Sequence, residues 1–245
     1  MAHTREQSEL ADAYRRVIDR IAAACRRSGR DPSGVQLVAV TKTVEPERIR
    51  EAVDAGLTTF GENRVQEARP KVLAVVGATW HLIGPLQSNK ARRAVELFDA
   101  IQSVDSVALA QRLDRLSGEL RPRQGLPALM EVNVDRDPAK TGFDPSKLDR
   151  TFDELGGLEN LRIDGLMTVG RQVASPEHAR STFRALRELS ERLRASHAQL
   201  GPALSMGMTD DFEVAIEEGA TIVRIGRAIF GERPHHHDGD EDHEH

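Results

Sequence analysis

Short apolar runs alternate along the chain with amphipathic segments. In the first 25 residues, apolar side chains recur at steps of three and four, which predicts an N-terminal helix with one buried face; they are Leu10, Tyr14, Val17, Ile21 and Cys25. Eight strand candidates follow: VQLVAV at 35, TTF at 58, TWHLIG at 79, AIQSV at 100, PALMEVNV at 127, LRIDGLMTV at 161, ALSM at 203 and TIVRIG at 221.

The segments between these runs predict helices by the same spacing test. Apolar stripes extend from Val107 to Leu120 and from Ala179 to Leu193. Asp144-Pro145 and Ser175-Pro176 each place an N-cap residue before a proline at the first helical position, where the missing N–H costs nothing. Both pairs therefore predict helix starts.

Alternating strands and helices predict an α/β protein with a parallel sheet buried on both faces. Eight β/α units in 245 residues match a closed (β/α)₈ barrel of the TIM type. An open doubly wound sheet more often has about five to seven strands. We predict a single barrel domain over residues 1–234, with the extra N-terminal helix as part of it.

The last residues differ from the rest of the chain. After Pro234 the sequence is HHHDGDEDHEH, which has no apolar side chain and predicts a disordered tail rich in His and Asp over residues 235–245. Histidine and carboxylate side chains are ligands for transition metals, but their spacing here fits no defined site. We assign no metal to the protein.

Composition and charge exclude several classes of function. No apolar run approaches the roughly 20 residues that span a bilayer, and the polar start Met1–Ser8 lacks the apolar core of a secretory signal. The single cysteine, Cys25, has no partner for an intrachain disulfide, so a cytoplasmic location is expected. A net charge of -5 gives no global reason to bind nucleic acid or a membrane. Any anionic ligand must be held by a local site.

Two loops near the end of the predicted barrel have the pattern of a phosphate site. Barrel enzymes often bind phosphate after strands seven and eight. After the seventh strand comes Ser205-Met206-Gly207-Met208-Thr209, with Asp210-Asp211 opening a helix, and after the eighth comes Gly226-Arg227. Glycine permits close backbone approach, and helix N-terminal amides bind anions. The alternative is two ordinary strand-to-helix turns that use glycine for their geometry.

A lysine and an arginine occupy positions in the predicted barrel where each could contact a ligand. Lys42 follows the first strand, on the catalytic rim, where a desolvated lysine offers the neutral amine that attacks an aldehyde to form a Schiff base. A solvated surface lysine is the alternative. Arg224 lies inside the apolar strand and needs a partner there. The candidates are a carboxylate such as Asp164 or Glu131, or a ligand atom in the barrel mouth.

Six long motifs occur throughout the chain: LVAVTKTV at 37, FGENRVQE at 60, WHLIGPLQSNK at 80, GLMTVG at 165, LSMGMTDDFEVAIEEGAT at 204 and VRIGRAIFG at 223. They resemble the motifs of the pyridoxal phosphate homeostasis proteins, whose barrel is similar to the N-terminal domain of alanine racemase. The resemblance implies pyridoxal 5′-phosphate (PLP) as the cofactor, a Schiff base on Lys42 and Arg224 facing the pyridine nitrogen.

The resemblance also implies the remaining contacts of the cofactor. It assigns the phosphate to Ser205, Gly207, Gly226 and Arg227, the last two mainly through backbone N–H groups. Three further residues fall in matching motifs near the expected ring, with less defined roles: Asn63, His81 and Met167. For His81, a structural role at a strand end is the alternative.

Three functions from different classes follow. The first is a PLP carrier in vitamin B6 homeostasis, a monomer with PLP-dependent apoenzymes as recipients. The second is a weak amino-acid racemase or transaminase, with His81 as a base opposite Lys42. The third is a barrel that binds another phosphate ester.

Alanine racemase, which the barrel resembles, uses a tyrosine from a further domain as its second base, whereas the single tyrosine here, Tyr14, lies in the first helix. We favour the carrier and assign no catalytic residue.

Overall fold

A closed barrel of eight parallel strands forms the protein, in the order β1 to β8. The computed structural model describes residues 2–170 and 174–231, with side chains from residue 7 onward. The strands are β1 (Gln36–Val40), β2 (Thr59–Glu62), β3 (Thr79–Leu82), β4 (Ala100–Val104), β5 (Leu126–Glu131), β6 (Leu161–Met167), β7 (Ala203–Ser205) and β8 (Ile222–Ile225). The predicted (β/α)₈ barrel is confirmed.

Helices connect the strands on the outside. Within the described residues they are α1 (Ala2–Arg27), α2 (Pro46–Asp54), α3 (Val65–Ala74), α4 (Ala91–Leu97), α5 (Val107–Leu120), α6 (Leu148–Glu154), α7 (Arg180–Ser196), α8 (Phe212–Glu217) and α9 (Arg227–Phe230). Short 3-10 turns cover Pro32–Gly34, Ser88–Lys90, Pro145–Lys147 and Pro176–Ala179.

The predicted extra helix α1 lies against α8 and α9, next to the seam where β8 meets β1. Of its five predicted apolar residues, Tyr14 is partly buried and the other four are buried: Leu10, Val17, Ile21 and Cys25. Arg20 and Arg27 pair with Glu213 and Glu217 of α8 at 3.0 and 2.7 Å. Apolar burial and these ion pairs together fix α1 over the seam.

Both predicted proline-marked helix starts are present, each as a 3-10 turn before the α-helix. The Asp144 carboxylate accepts a hydrogen bond from the Ser146 N–H at 2.9 Å, as expected of an N-cap residue. The Ser175 side chain forms no such capping bond within the described part of the chain. There the proline alone, with its fixed φ, marks the start.

The predicted tail over residues 235–245 and the domain boundary at residue 234 lie outside the described residues. In the part of the chain that the structure describes, no helix is both long enough and apolar enough to cross a membrane.

Closure of the barrel brings the first and last strands together. Strand β1 pairs with β8 from Gln36 and Ile222 to Ala39 and Ile225, and with β2 at Ala39 and Val40. Because all strands are parallel, their carboxyl ends meet at one mouth. Residues after β1, β7 and β8 are therefore neighbours there, although they are far apart in sequence.

Candidate functional site

Lys42 lies at this mouth, two residues beyond the end of β1. The chain before it is held in place, since the Thr41 N–H donates to the Gly61 carbonyl of β2 at 3.0 Å. The next residue, Thr43, has a φ of 64° and turns the chain toward α2. The Lys42 side chain is half-buried, and no described residue forms a hydrogen bond or an ion pair with its Nζ. The amine is therefore available to a ligand.

A buried polar cluster, formed by Thr41, Glu62 and Lys71, stands behind this lysine. Lys71 Nζ donates at 2.7 Å both to the Thr41 carbonyl and to Glu62 Oε1. The Thr41 hydroxyl donates to the same carboxylate oxygen at 2.5 Å. Glu62 is fully buried, and its Oε2 has no hydrogen-bond partner among the described residues. The cluster fixes the Thr41 carbonyl, which immediately precedes Lys42. This cluster was not predicted from the sequence.

Arg224 is buried inside the barrel, where its guanidinium has two protein contacts. Nη1 donates to the Ser205 hydroxyl at 2.6 Å and Nη2 donates to the Thr168 carbonyl at 2.8 Å. Neither of the two carboxylates expected from the sequence accepts a hydrogen bond from it, and Asp164 instead pairs with Arg162. The two contacts fix the guanidinium and leave others of its five N–H donors for a ligand.

Arg224 keeps its positive charge although it is buried. Burial lowers the pKa of Arg224 to about 10, and the carboxylates of Glu131 and Asp211 act in the opposite direction. The guanidinium is therefore protonated at neutral pH and acts as a donor. Burial also raises the pKa of Glu131.

Ser205 is the last residue of β7, and its side chain is fully buried. Its fully buried hydroxyl accepts from Arg224 and gives its proton to Gln102 Oε1 at 2.6 Å. The structure thus brings the Ser205 side chain to Arg224, and the phosphate contact that the resemblance implies stays a prediction. Thr209, further along the same loop, is half-buried, and no described residue bonds to its hydroxyl. The sequence contained both hydroxyls and gave no means of choosing between them.

The two predicted phosphate loops both depend on a glycine. Gly207 has a φ of 92°, and a Cβ atom there would lie 2.6 Å from the Cβ of Ala215 and 2.9 Å from the Cα of Phe212. At Gly226 a Cβ atom would lie 3.1 Å from the Val40 carbonyl oxygen, so this glycine lets the loop after β8 approach β1. The loop after β8 therefore lies against Val40, the last residue of β1 and two residues before Lys42.

A surface ion pair ties the two loops together. Arg227 Nη2 lies 2.5 Å from Asp210 Oδ2, and both side chains are exposed. The Arg227 guanidinium is thus engaged with the neighbouring loop, while its backbone N–H belongs to the first turn of α9, where helical N–H groups have no partner within the helix. The contact of the Arg227 backbone with a phosphate stays a prediction.

Asn63 reaches the mouth, and Met167 lies below it. Val40 is paired with Gly61, and Lys42 and Asn63 each follow two residues later, so both come at the carboxyl end. Met167 ends β6 and is fully buried in an apolar cluster inside the barrel, with Val38, Leu129 and Ile222.

The structure does not bring His81 to Lys42. His81 lines a cavity of about 450 Å³, with residues at or near the amino ends of the strands, such as Gln36, Thr79, Asp99 and Thr221. Its Nδ1 lies 2.8 Å from Gln102 Nε2 inside the barrel. The alternative of a structural role is the one that this position supports.

His81 gives the fold a pH dependence of defined sign. Burial lowers the pKa of His81 to about 4, from an ordinary value of 6.5. The folded state therefore takes up this proton less readily than the unfolded chain. The stability that neutral His81 contributes is complete above about pH 6.5 and is lost as the pH falls towards 4.

We expect a His81→Gln variant to lose less stability than the parent protein over this interval. Between pH 7 and pH 4 the parent protein should lose about 3 kcal/mol more of its free energy of unfolding than the variant does. Each unit of the pKa shift of His81 corresponds to about 1.36 kcal/mol. Urea unfolding of both proteins at several pH values between 7 and 4 measures it. Carboxylates with raised pKa values affect both proteins alike, so parallel losses would contradict the assignment.

Comparison with known protein families identifies the class of this barrel. The model of the alanine racemase N-terminal domain matches residues 12–234. Alanine racemase from Clostridium difficile shares the fold, with a TM-score of 0.68 at 13% identity over 93% of this chain and 57% of that chain. The fold and the mouth lysine thus define a barrel of the alanine racemase N-terminal type.

Closer relatives narrow the assignment. The pyridoxal phosphate homeostasis proteins of Aquifex aeolicus and Pseudomonas aeruginosa are 43% and 44% identical, over 89% and 92% of this chain and 96% of each relative. PipY of Synechococcus elongatus, solved with PLP bound, has a TM-score of 0.77 and 42% identity over 88% of this chain and 100% of that chain. The chain belongs to the pyridoxal phosphate homeostasis protein family.

Proposed function

We propose that this protein binds PLP at the carboxyl-end mouth of the barrel, on Lys42, and serves intracellular PLP homeostasis in the cytoplasm. The observation that carries the proposal is the half-buried Lys42 amine, which no described residue engages, on the same mouth as Arg224 and the two glycine loops. PLP supplies the aldehyde that this amine attacks, with loss of water, to form a Schiff base.

The donor set of the mouth suits the rest of the ligand. Arg224 is a protonated, buried donor for the pyridine nitrogen. The Thr209 hydroxyl and the backbone N–H groups of the loops at Gly207 and Gly226 suit a phosphate, which must be held locally in a chain of net charge -5. Asn63 is assigned to the ring side of the site, Met167 to the floor beneath it and Ser205 to the support of Arg224.

A binder is favoured over an enzyme. His81, the second base of the enzyme alternative, lines the cavity at the amino ends of the strands. Tyr14, the single tyrosine of the sequence, contacts the position of Gly56, in the turn before β2. Both positions are remote from Lys42, which supports a carrier without amino-acid turnover. The names of the relatives support the homeostasis role, and the PLP-bound PipY supports the ligand.

Absorbance and reductive trapping test the proposal. PLP added to the purified protein is expected to give a yellow complex, and borohydride is expected to fix the cofactor on the peptide that contains Lys42. A colourless protein unchanged by PLP would refute the binding site. L-Alanine incubated with the complex in deuterated water should exchange little at Cα, whereas exchange on a turnover timescale would favour the racemase or transaminase alternative.

PLP-dependent apoenzymes are the proposed recipients, and a monomer is the proposed form. The loaded protein is mixed with an apoenzyme in the presence of a scavenger of free PLP. The activity of the apoenzyme should return faster than it does with the same total concentration of free PLP and the same scavenger. Equal rates would argue against direct delivery. Sedimentation of the loaded protein checks the monomer.

A further inference from the structure

A continuous chain of buried hydrogen bonds runs from Arg224 to the far end of the barrel. Arg224 Nη1 lies 2.6 Å from Ser205 Oγ, which lies 2.6 Å from Gln102 Oε1, and Gln102 Nε2 lies 2.8 Å from His81 Nδ1. All four side chains are buried, with exposed fractions between 0% and 6%. They come from four different strands, β8, β7, β4 and β3.

The chemistry of the four groups gives this chain one direction. A guanidinium only donates, so the Ser205 oxygen must accept, and the serine proton must go to Gln102 Oε1. The Gln102 amide nitrogen also only donates, so His81 Nδ1 must accept. His81 is therefore neutral and carries its proton on Nε2, at the cavity that opens between the amino ends of the strands. Burial favours the same neutral form.

We propose that Ser205, Gln102 and His81 are positioning residues for Arg224, which hold its guanidinium toward the pyridine nitrogen of bound PLP. The proposal rests on the proposed function and deepens it. Aligned hydrogen bonds at low dielectric polarise one another, so each member strengthens the next. In this role each of the three acts through Arg224.

An analogue of PLP in which a C–H group replaces the ring nitrogen is the probe that isolates this role. It retains the aldehyde and the phosphate but offers no acceptor to Arg224. The ratio of the two dissociation constants, analogue over PLP, therefore reports the contact between Arg224 and the ring. A merely structural defect would weaken both ligands and leave the ratio unchanged.

Ser205→Ala is expected to lower this ratio roughly fivefold to tenfold, within the range for the loss of one ordinary hydrogen bond, because the serine acts on the ring only through Arg224. Gln102→Met should lower the ratio roughly threefold and His81→Phe roughly twofold, because these two residues lie further from Arg224 in the series of hydrogen bonds. Ser103→Ala is the matched control. Ser103 is a buried serine of β4 whose hydroxyl donates to the Gly84 carbonyl at 2.6 Å and does not belong to the chain, so the ratio should not change.

The outcomes separate this inference from the proposed function. An unchanged ratio in folded Ser205→Ala and Gln102→Met, or an equal loss of both ligands, overturns the positioning role while PLP binding stands. A parent protein that binds neither ligand, and yields no borohydride-fixed peptide, overturns both. Thermal unfolding checks each variant, and Ser205→Ala, the smallest change, carries the test if Gln102→Met does not fold.

Discussion

Replacing Lys42 by methionine is expected to give a folded, colourless protein whose affinity for PLP is weaker by on the order of 100-fold, or about 2.7 kcal/mol. The variant keeps Arg224 and the two glycine loops, so non-covalent binding persists, but no amine remains at the mouth to attack the aldehyde. Because Lys42 is half-buried and no described residue bonds to its Nζ, its loss should change the melting temperature little.

Equilibrium dialysis and absorbance measure this change, and Lys147→Met is the control. Lys147 is an exposed lysine of the 3-10 turn Pro145–Lys147, so the same substitution there should preserve both colour and affinity. If Lys42→Met bound PLP as tightly as the control and borohydride still fixed the cofactor, another amine would be the anchor.

Replacing Lys71 by methionine is expected to lower the free energy of unfolding by about 3–5 kcal/mol, because it leaves the buried Glu62 carboxylate without its cation. The Thr41 carbonyl loses a donor as well, so the residue before Lys42 is less well fixed and PLP binding should weaken. Urea unfolding and PLP titration measure the two effects.

Two further variants test the electrostatic explanation. Lys71→Met combined with Glu62→Leu removes both charges and should recover most of the lost stability, as replacement of a buried ion pair by apolar side chains often does. Arg150→Met breaks the exposed pair with Glu154 and should cost less than about 0.5 kcal/mol. If the double variant were less stable than Lys71→Met alone, the unpaired charge would not be the cause.

Periodicity predicted the barrel well because burial on both faces leaves a strong pattern in each strand. AIQSV at 100 coincides with β4, and each of the eight strand candidates overlaps a strand, although β2 continues two residues beyond the predicted TTF, to Glu62. The fifth was predicted to run to Val134 but ends at Glu131. There the Glu131 carbonyl accepts the Phe143 N–H at 2.7 Å, and Val132 forms an isolated bridge with Phe143. This long-range pairing has no local signal.

The site was only partly predictable, for a related reason. Lys42 and the loops after β7 and β8 stand at strand ends, so chain order alone assigned them to the mouth. His81 lies on a strand, and alternation says only that a side chain points into the barrel. Its depth depends on the stagger between strands. The pairing of His81 with Ala100, the first residue of β4, places it at the level of the amino ends.

The seam between β1 and β8 has a consequence for when the ligand can bind. Lys42, the proposed anchor, follows β1, and the buried Arg224 lies on β8, so the two halves of the proposed pocket are 182 positions apart in the sequence. A ribosome-bound chain that has not yet released β8 has the amine but neither Arg224 nor the last glycine loop. At the proposed site, high-affinity capture of PLP therefore requires the closed barrel. A bound cofactor would then contact both sides of the seam and oppose its opening. Release of the ligand and transient opening of the barrel would therefore both depend on the seam between β1 and β8.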